Sequence, residues 1–419
     1  MGDQLSGARQ RLFDAAERAG VAPDLFESLK YPKETLAASI PLRRDDGRLE
    51  MVKAWRCRYD DMLGPTKGGL RFHPSTNADE VQTLAFWMMV KCALMHLPFG
   101  GGKGGMSVDY KSLSIGEKER LVRAFAERYA HIFGPGRDVP APDVGTGPME
   151  MSWIAEAWGW MNHRHSPDVI TGKPPVDGGL DGRTPATGRG AFLALDELRE
   201  ALGLGEDDRR IAVQGYGSGG KWFARFAQEA GWTIVAVADS SGTAFDGDGL
   251  DLDALDKAKN DGGSVTDADG VETLDSDAVL TVEADVLVPA ALGGAVTEDN
   301  AADLQCKAIV EIANGPVLPE ADDILRQRGI KVAPDVLANA GGVFVSWLEW
   351  VAGRSGDFPT NDQVNDRLET RMRDRAAAVR DMADEIDSDF RTAAYAVAAR
   401  RLNAALEARG ACEHNGGNR

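Results

Sequence analysis

Lysine is scarce in this chain, 14 residues against 33 arginines. Three of those lysines nevertheless share one glycine-punctuated region: Lys67 in Gly64-Pro65-Thr66-Lys67-Gly68-Gly69, Lys91 in Met89-Val90-Lys91-Cys92-Ala93, and Lys103 in Gly100-Gly101-Gly102-Lys103-Gly104-Gly105. Apolar or glycine neighbours exclude water, so lysines placed there read as catalysis or anion binding. Lys91 lies in the apolar run Phe86 to Met95, where an ammonium without a partner is costly. It either meets an anion or snorkels its end to the surface. Lys103 is flanked by Gly102 and Gly104, which let a substrate approach closely. Burial and neighbouring cations lower a lysine pKa, by up to ~3–5 units at full burial, so Lys103 is a candidate general base.

Two further residues are candidates, each with a plainer reading beside it. Asp143, in Pro140-Ala141-Pro142-Asp143-Val144-Gly145, sits on a stiff loop of the kind that suits a catalytic carboxylate; from the residues alone, a turn or cap aspartate is the better reading. Ser346, in Gly341-Gly342-Val343-Phe344-Val345-Ser346, falls under the same caution, since a buried serine bonding its own helix is common. The six histidines form no ligand-spaced cluster, and His96 reads as structural. Asp246 to Asp253 imitates a calcium loop, but no register gives alternating oxygen ligands closed by Glu. It reads as an acidic turn and helix, and no metal site is expected.

A second chemistry is written in Gly215-Tyr216-Gly217-Ser218-Gly219-Gly220, a G-x-G-x-x-G between the strand-like run Arg210 to Gln214 and a helix expected from about Gly220 to Ala230. Gly215 permits a tight turn, Gly217 lets backbone approach a pyrophosphate, and Gly220 lets helix and strand pack closely, with the helix N-terminus facing the phosphates. Asp239 follows Gly220 by 19 residues, at the end of the next strand-like run, where a carboxylate can hold the adenosine ribose. Ser240-Ser241-Gly242 brings no Arg or Lys to neutralise a 2′-phosphate, which favours NAD, with NADP possible.

The elements that position these residues alternate between periods of two and 3.6. Leu49 to Arg56 alternates as a half-buried strand. A helix is expected over Ala78 to Leu94, with Asn77 as cap and Glu80 completing a capping pair, and another over Ser114 to Phe133. Thr171 to Gly190 lacks hydrophobic periodicity and reads as an interdomain connection, followed by a helix over Ala191 to Leu202. The runs Thr233 to Ala238, Val286 to Val288, Ala308 to Val310 and Ile330 to Ala333 continue a parallel sheet. Asn361 to Arg409 looks helical and Gly410 to Arg419 frayed. The expected architecture is α/β: an N-terminal substrate and oligomerisation domain, residues 1–180, completed by helices in 361–419, and a Rossmann-type doubly wound dinucleotide-binding domain, residues 181–360.

Composition narrows the function classes. A formal net charge of −19 excludes a broad nucleic-acid footprint, which needs clustered Lys and Arg. With lysine scarce and Asp abundant, the charge reads as adaptation to high salt, where screening mutes self-repulsion; an ordinary acidic enzyme is the alternative. The most apolar segment, Leu84 to Phe99, is broken by Lys91 and His96, and no leader-like pattern opens the sequence, so a cytoplasmic protein without a membrane segment is expected. Cys57, Cys92, Cys306 and Cys412 form no Cys-x-x-Cys and read as reduced thiols.

From about Tyr59 to Val351 the sequence resembles the glutamate dehydrogenase family. The resemblance rests on Gly64 to Pro74, Leu97 to Gly105, Pro140 to Asp143, Ala186-Thr187-Gly188-Arg189-Gly190 and Asn339-Ala340-Gly341-Gly342-Val343. It implies that Lys103 is the catalytic lysine and Asp143 the proton-transferring acid. It further implies that Lys91 holds the substrate α-carboxylate, that Lys67 and Ser346 hold the γ-carboxylate, that Thr187 and Asn314 contact the cofactor or its nicotinamide end, and that Asn339 contacts the substrate or nicotinamide region. Relatives acting on leucine, valine or phenylalanine carry an apolar residue at the position of Lys67. The implied reaction interconverts glutamate with 2-oxoglutarate and ammonia in a homohexamer, with closure around Thr171 to Gly190 excluding water. A regulatory subunit working beside an active paralogue, or an amino-acid dehydrogenase of shifted specificity, are the alternatives. Gly145, Leu180, Gly294, Ile312 and Val317-Leu318 depart from the family pattern, mostly on the cofactor side.

Overall fold

The computed structural model describes residues 2–291 and 293–410; the expected fraying after Gly410, and Cys412, lie outside them. The chain forms two compact units, one of residues 1–181, 343–365 and 395–419 and the other of 182–342 and 366–394. The first break falls after residue 181. The later breaks differ from expectation: residues 343–360 join the first unit, and 366–394 join the second.

The first unit is built on a five-stranded sheet: β1 (Glu34–Arg43), β2 (Leu49–Asp60), β3 (Thr66–Phe72), β4 (Gly100–Ser107) and β5 (Asp138–Pro142), in the order β1-β2-β4-β3-β5. β1, β2 and β4 pair antiparallel, whereas β3 runs parallel to β4 and β5. The helix Ala78–Leu94 makes the crossover from β3 to β4 and carries the expected cap, Asn77 accepting from the Glu80 amide. The expected reciprocal bond does not form, because the Glu80 carboxylate instead accepts from Arg71 at 2.7 Å. On Ile115–Tyr129 both halves of the box are present, between Ser114 and Glu117.

Strand alternation gives this sheet two chemically different faces. Leu70, Phe72 and Met106 look onto an apolar core shared with the helices Ile115–Tyr129 and Pro148–Asn162. On the opposite face the helix Ala78–Leu94 seats directly on β4: a Cβ at Gly101 would lie 2.2 Å from the Ala85 carbonyl oxygen.

The second unit holds a seven-stranded sheet of β6 (Arg210–Gln214), β7 (Thr233–Asp239), β8 (Gly242–Phe245), β9 (Glu272–Leu274), β10 (Val286–Pro289), β11 (Ala308–Val310) and β12 (Lys331–Ala333), ordered β12-β11-β10-β6-β7-β8-β9. Five strands are parallel, as the continuous Val/Ile/Ala runs imply. The antiparallel pairings of β7 with β8 and β8 with β9 were not legible in the short, mixed runs that form them. Consecutive strands depart in opposite directions from β6, so the strand order reverses between β6 and β10.

One helical expectation needs correction. The helix expected from Ala191 starts at Ala186, so Thr187 to Gly190 lies within it and not in a linker. The C-terminal helical region is two helices, Asn361–Glu385 and Phe390–Glu407, parted where Asp387 takes φ +48° and Asp389 accepts from the Thr392 amide. The stretch Asp335–Ser355 has the length and hydropathy of a membrane span, but 67% of its apolar window is buried inside the fold, where its apolar residues serve as core.

Candidate functional site

Lys67 on β3 pairs with Gly101 on β4, and Lys103 lies two residues farther along β4. The period of two therefore puts both lysines on the face covered by the helix Ala78–Leu94. Lys67, Lys91 and Lys103 are 1%, 8% and 7% exposed. Cys92, beside Lys91 on that helix, feels the positive charge of both Lys67 and Lys91, though burial dominates and pushes its thiol up to about 12. Gly69 and Gly101 share that face because neither has room for a side chain: a Cβ at Gly101 would lie 2.2 Å from the Ala85 carbonyl oxygen, and one at Gly69 would sit 2.7 Å from the Asp143 Cβ.

That close approach brings Asp143, just beyond β5, onto Lys103, and the two form an ion pair. The Val144 amide donates to Asp143 Oδ1 at 2.8 Å, while Arg71 stands 3.6 Å from the same oxygen. Burial pushes the Asp143 carboxyl up, but Lys103 and Arg71 outweigh it and hold it at about 2. The Lys103 ammonium is lowered from its ordinary value chiefly by burial, against the pull of Asp143 and with Arg71 adding to the lowering. The arrangement can exchange a proton between a desolvated amine and whatever occupies the adjoining space.

Lys67 Nζ donates to Thr171 Oγ1 at 2.6 Å, a partner the sequence reading placed only at the start of a connection. Thr171 is held by its neighbours: Glu349 accepts from the Gly172 and Lys173 amides at 2.8 and 3.3 Å and from Lys173 Nζ at 2.9 Å. Glu349 is on the helix Gly341–Ser355, one turn after Ser346, which is 2% exposed. Thr171, Lys173, Glu349 and Arg71 were missed because each is recognisable only by a contact distant in sequence. His96 is exposed, with φ +54°, just past the end of the helix Ala78–Leu94, where it ends that helix.

In the second unit, Gly215 closes the turn after β6 with φ +99°, and a Cβ there would lie 2.8 Å from Ala291. A Cβ at Gly220 would lie 2.0 Å from the Gly215 carbonyl oxygen, whereas Gly217 has nothing within 4 Å. The open space at Gly217 lies at the N-terminus of the helix Ser218–Glu229, which suits a pyrophosphate. The turn also sits where the strand order reverses, the usual ligand position in such sheets. Thr187 approaches the same turn, its methyl 3.9 Å from where a Gly219 Cβ would be, as does Ile312 at 2.8 Å.

Asn339 donates to the Ile312 carbonyl and to Asn314 Oδ1, both at 3.0 Å, so these two candidates meet. Behind them Glu311, fully buried, takes a two-pronged bond from Arg391 at 2.8 Å and accepts from the Val317 and Asp335 amides. Asp335 in turn accepts from the Gly315 amide at 2.8 Å. This network fixes the loop bearing Asn314, and no local pattern announced it.

Asp239 departs from expectation in its surroundings. The premise that no cation lies near it fails: Lys259, on the helix Leu252–Asn260, donates to Asp239 Oδ2 at 2.8 Å. Burial pushes the Asp239 carboxyl up, but Lys259, the Ser241 and Val265 amides and Ser264 bring it down to about 2.

Residues 32–159 match the Glu/Leu/Phe/Val dehydrogenase dimerisation domain, and residues 178–410 match the Glutamate/Leucine/Phenylalanine/Valine dehydrogenase domain. The chain is 41% identical over 418 residues to an NADP-specific glutamate dehydrogenase of Synechocystis sp., covering 98% of each chain. It is 42% identical to NAD-specific glutamate dehydrogenase A of Halobacterium salinarum, over 97% of this chain and 93% of that one. Among solved structures it resembles a hetero-hexameric glutamate dehydrogenase from Thermus thermophilus in its Leu-bound form, with TM-score 0.93, 37% identity and 97% of each chain covered. Glutamate dehydrogenase from Peptoniphilus asaccharolyticus superposes with TM-score 0.86 at 35% identity, over 97% of this chain and 99% of that one. With both domains matched in order, a lysine–aspartate pair on one sheet and a glycine turn on the other, the chain belongs to the Glu/Leu/Phe/Val dehydrogenase family.

Proposed function

We propose that this chain is a glutamate dehydrogenase, catalysing the reversible oxidative deamination of L-glutamate to 2-oxoglutarate and ammonia with NAD or NADP. The observation that carries the reading is Lys67, buried and cationic beside Thr171 on the face that also bears the Lys103–Asp143 pair. An ammonium on that face suits a substrate that carries a second carboxylate. Lys67, Thr171 and Ser346 hold that side-chain carboxylate, and Lys91 holds the α-carboxylate.

Residues of the glycine turn, Gly215, Gly217 and Gly220, would hold the pyrophosphate, with Asp239 at the adenosine ribose and Thr187, Asn314 and Asn339 toward the nicotinamide. Bound there, the coenzyme would supply a hydride acceptor for the substrate Cα. Fixing both carboxylates makes that transfer a positioned, nearly unimolecular step. Lys103 then takes a proton from the water that attacks the resulting imine and stabilises the developing charge. Asp143 carries the proton to and from the departing nitrogen.

The same reading extends to a homohexamer in the cytoplasm of a halophile. Its support is the net charge of −19, the preference for arginine over lysine, and free thiols at Cys57 and Cys92 buried within the fold. The hetero-hexameric neighbour supports a second arrangement, in which this chain assembles with a paralogue; the Lys103–Asp143 pair favours an active over a regulatory role for it there.

The test is initial-rate coenzyme reduction by purified protein with glutamate or leucine, in low and molar potassium chloride. Glutamate-dependent turnover that strengthens with salt is expected. Turnover with leucine and not glutamate would overturn the substrate assignment, and indifference to salt the halophilic one.

A further inference from the structure

The Asp239 carboxylate is already saturated. Its Oδ1 accepts from the Ser241 amide at 2.9 Å and from Ser264 Oγ at 2.9 Å, and its Oδ2 from Lys259 Nζ at 2.8 Å and the Val265 amide at 3.1 Å. A carboxylate offers about four lone-pair sites, so none is left for the two hydroxyls of a ribose. One donor must yield before a ribose can bind as NAD requires. Three of the four belong to backbone or to the short, nearly buried Ser264. The fourth ends a flexible lysine side chain that is 36% exposed, against 10% for Asp239.

The charge balance changes in the same stroke. A bare carboxylate at the end of β7 repels a 2′-phosphate, whereas a carboxylate paired with an ammonium presents no net charge. When Lys259 swings off Asp239 it still reaches the same few ångströms of space, and its three N–H donors suit a phosphate as a point charge. Lys259 lies 20 residues beyond Asp239, so reading the residues that directly follow Asp239 cannot find it.

We infer that Lys259 is a coenzyme-selecting residue: by neutralising Asp239 and supplying a mobile cation, it lets the adenosine end take a 2′-phosphate as well as a 2′-hydroxyl, so that the chain uses NADP as well as NAD. The inference rests on the dinucleotide reading of the glycine turn, and its test is independent of turnover.

Isothermal titration calorimetry with 5′-AMP and 2′,5′-ADP on the intact protein measures the affinity ratio of the two probes. Wild type should bind 2′,5′-ADP at least as tightly as 5′-AMP. Loss of one charge-assisted contact is worth about tenfold, so Lys259→Met should lower the ratio by about fivefold or more and Lys259→Arg should restore it. A wild type that prefers 5′-AMP, a smaller change in Lys259→Met, or binding of neither probe overturns the inference. If the ratios behave as expected while no glutamate-dependent turnover occurs, the inference stands and the proposed reaction falls.

Discussion

Two ion pairs lie on opposite faces of one five-stranded sheet, and they are built for different ends. Arg56 and Asp138 are both 0% exposed and joined fork to fork, Nε to Oδ2 at 2.7 Å and an Nη to Oδ1 at 2.6 Å. The arginine also donates to the Gly68 carbonyl, and Thr66 Oγ1 donates to Asp138. Each guanidinium nitrogen and each carboxylate oxygen there has a partner, so the pair is closed off from further chemistry. Lys103 and Asp143, at 8% and 17% side-chain exposure, meet as a point charge and a carboxylate, with ammonium donors to spare. A planar fork suits closure and a lysine suits chemistry, and a single step along β4, from Lys103 to Gly104, moves from one face to the other.

Breaking each pair should produce opposite losses. Lys103→Ala should reduce glutamate turnover by about 10³-fold or more while costing less stability than loss of Arg56, because Asp143 keeps Arg71 and the Val144 amide beside it, as initial rates and denaturant unfolding would reveal; a mutant retaining a tenth of wild-type turnover removes Lys103 from the chemistry. Arg56→Leu strands a fully buried carboxylate, which should cost about 3–5 kcal/mol of stability, seen in denaturant unfolding. Soluble, active Arg56→Leu protein with an unchanged unfolding midpoint would show that the fork is not structural.

Lys67→Leu sharpens the contrast within the chemical face itself. It keeps volume in a closed site and removes the ammonium that faces Thr171. The expected result is a loss of about 10²-fold in kcat/KM for glutamate with a gain for leucine. An unchanged preference between the two would separate Lys67 from the substrate side chain.

What the sequence made legible follows the same division between local and distant contacts. The glycine turn, the caps at Asn77 and Ser114 and most parallel strands come from residues within a turn or two of one another. The Arg56–Asp138 pair, 82 residues apart, and the Lys67–Thr171 bond, 104 apart, exist only because β4 and β3 lie between β2 and β5, an order that strand periodicity does not encode. Likewise Glu80 was free by local pattern to close its helix cap, and Arg71, brought in by β3, took it instead. Asp239 shows the same limit on the coenzyme side: its position at the end of β7 was readable, but its partners Lys259 and Ser264 come from a later helix and turn.

The smallest effect is a displacement of pH profile, and its sign follows from the charges around Lys103. Burial and Arg71 favour the neutral amine, and Asp143 favours the ammonium. The rise of kcat/KM for glutamate with pH therefore tracks deprotonation of Lys103 below the ordinary lysine value. Asp143→Asn removes the contribution that keeps the proton on, so the residual activity should rise at lower pH than in wild type. Asp143 itself is ionised throughout that range, since its carboxyl is held at about 2. Its contribution to stability is correspondingly present above its ordinary value of 3.8 and is lost as pH falls through about 2. Arg56→Lys, on the other face, should leave the activity profile where it was, and a shift there equal to that of Asp143→Asn would mean that the two faces share one electrostatic field and the separation between them is not functional.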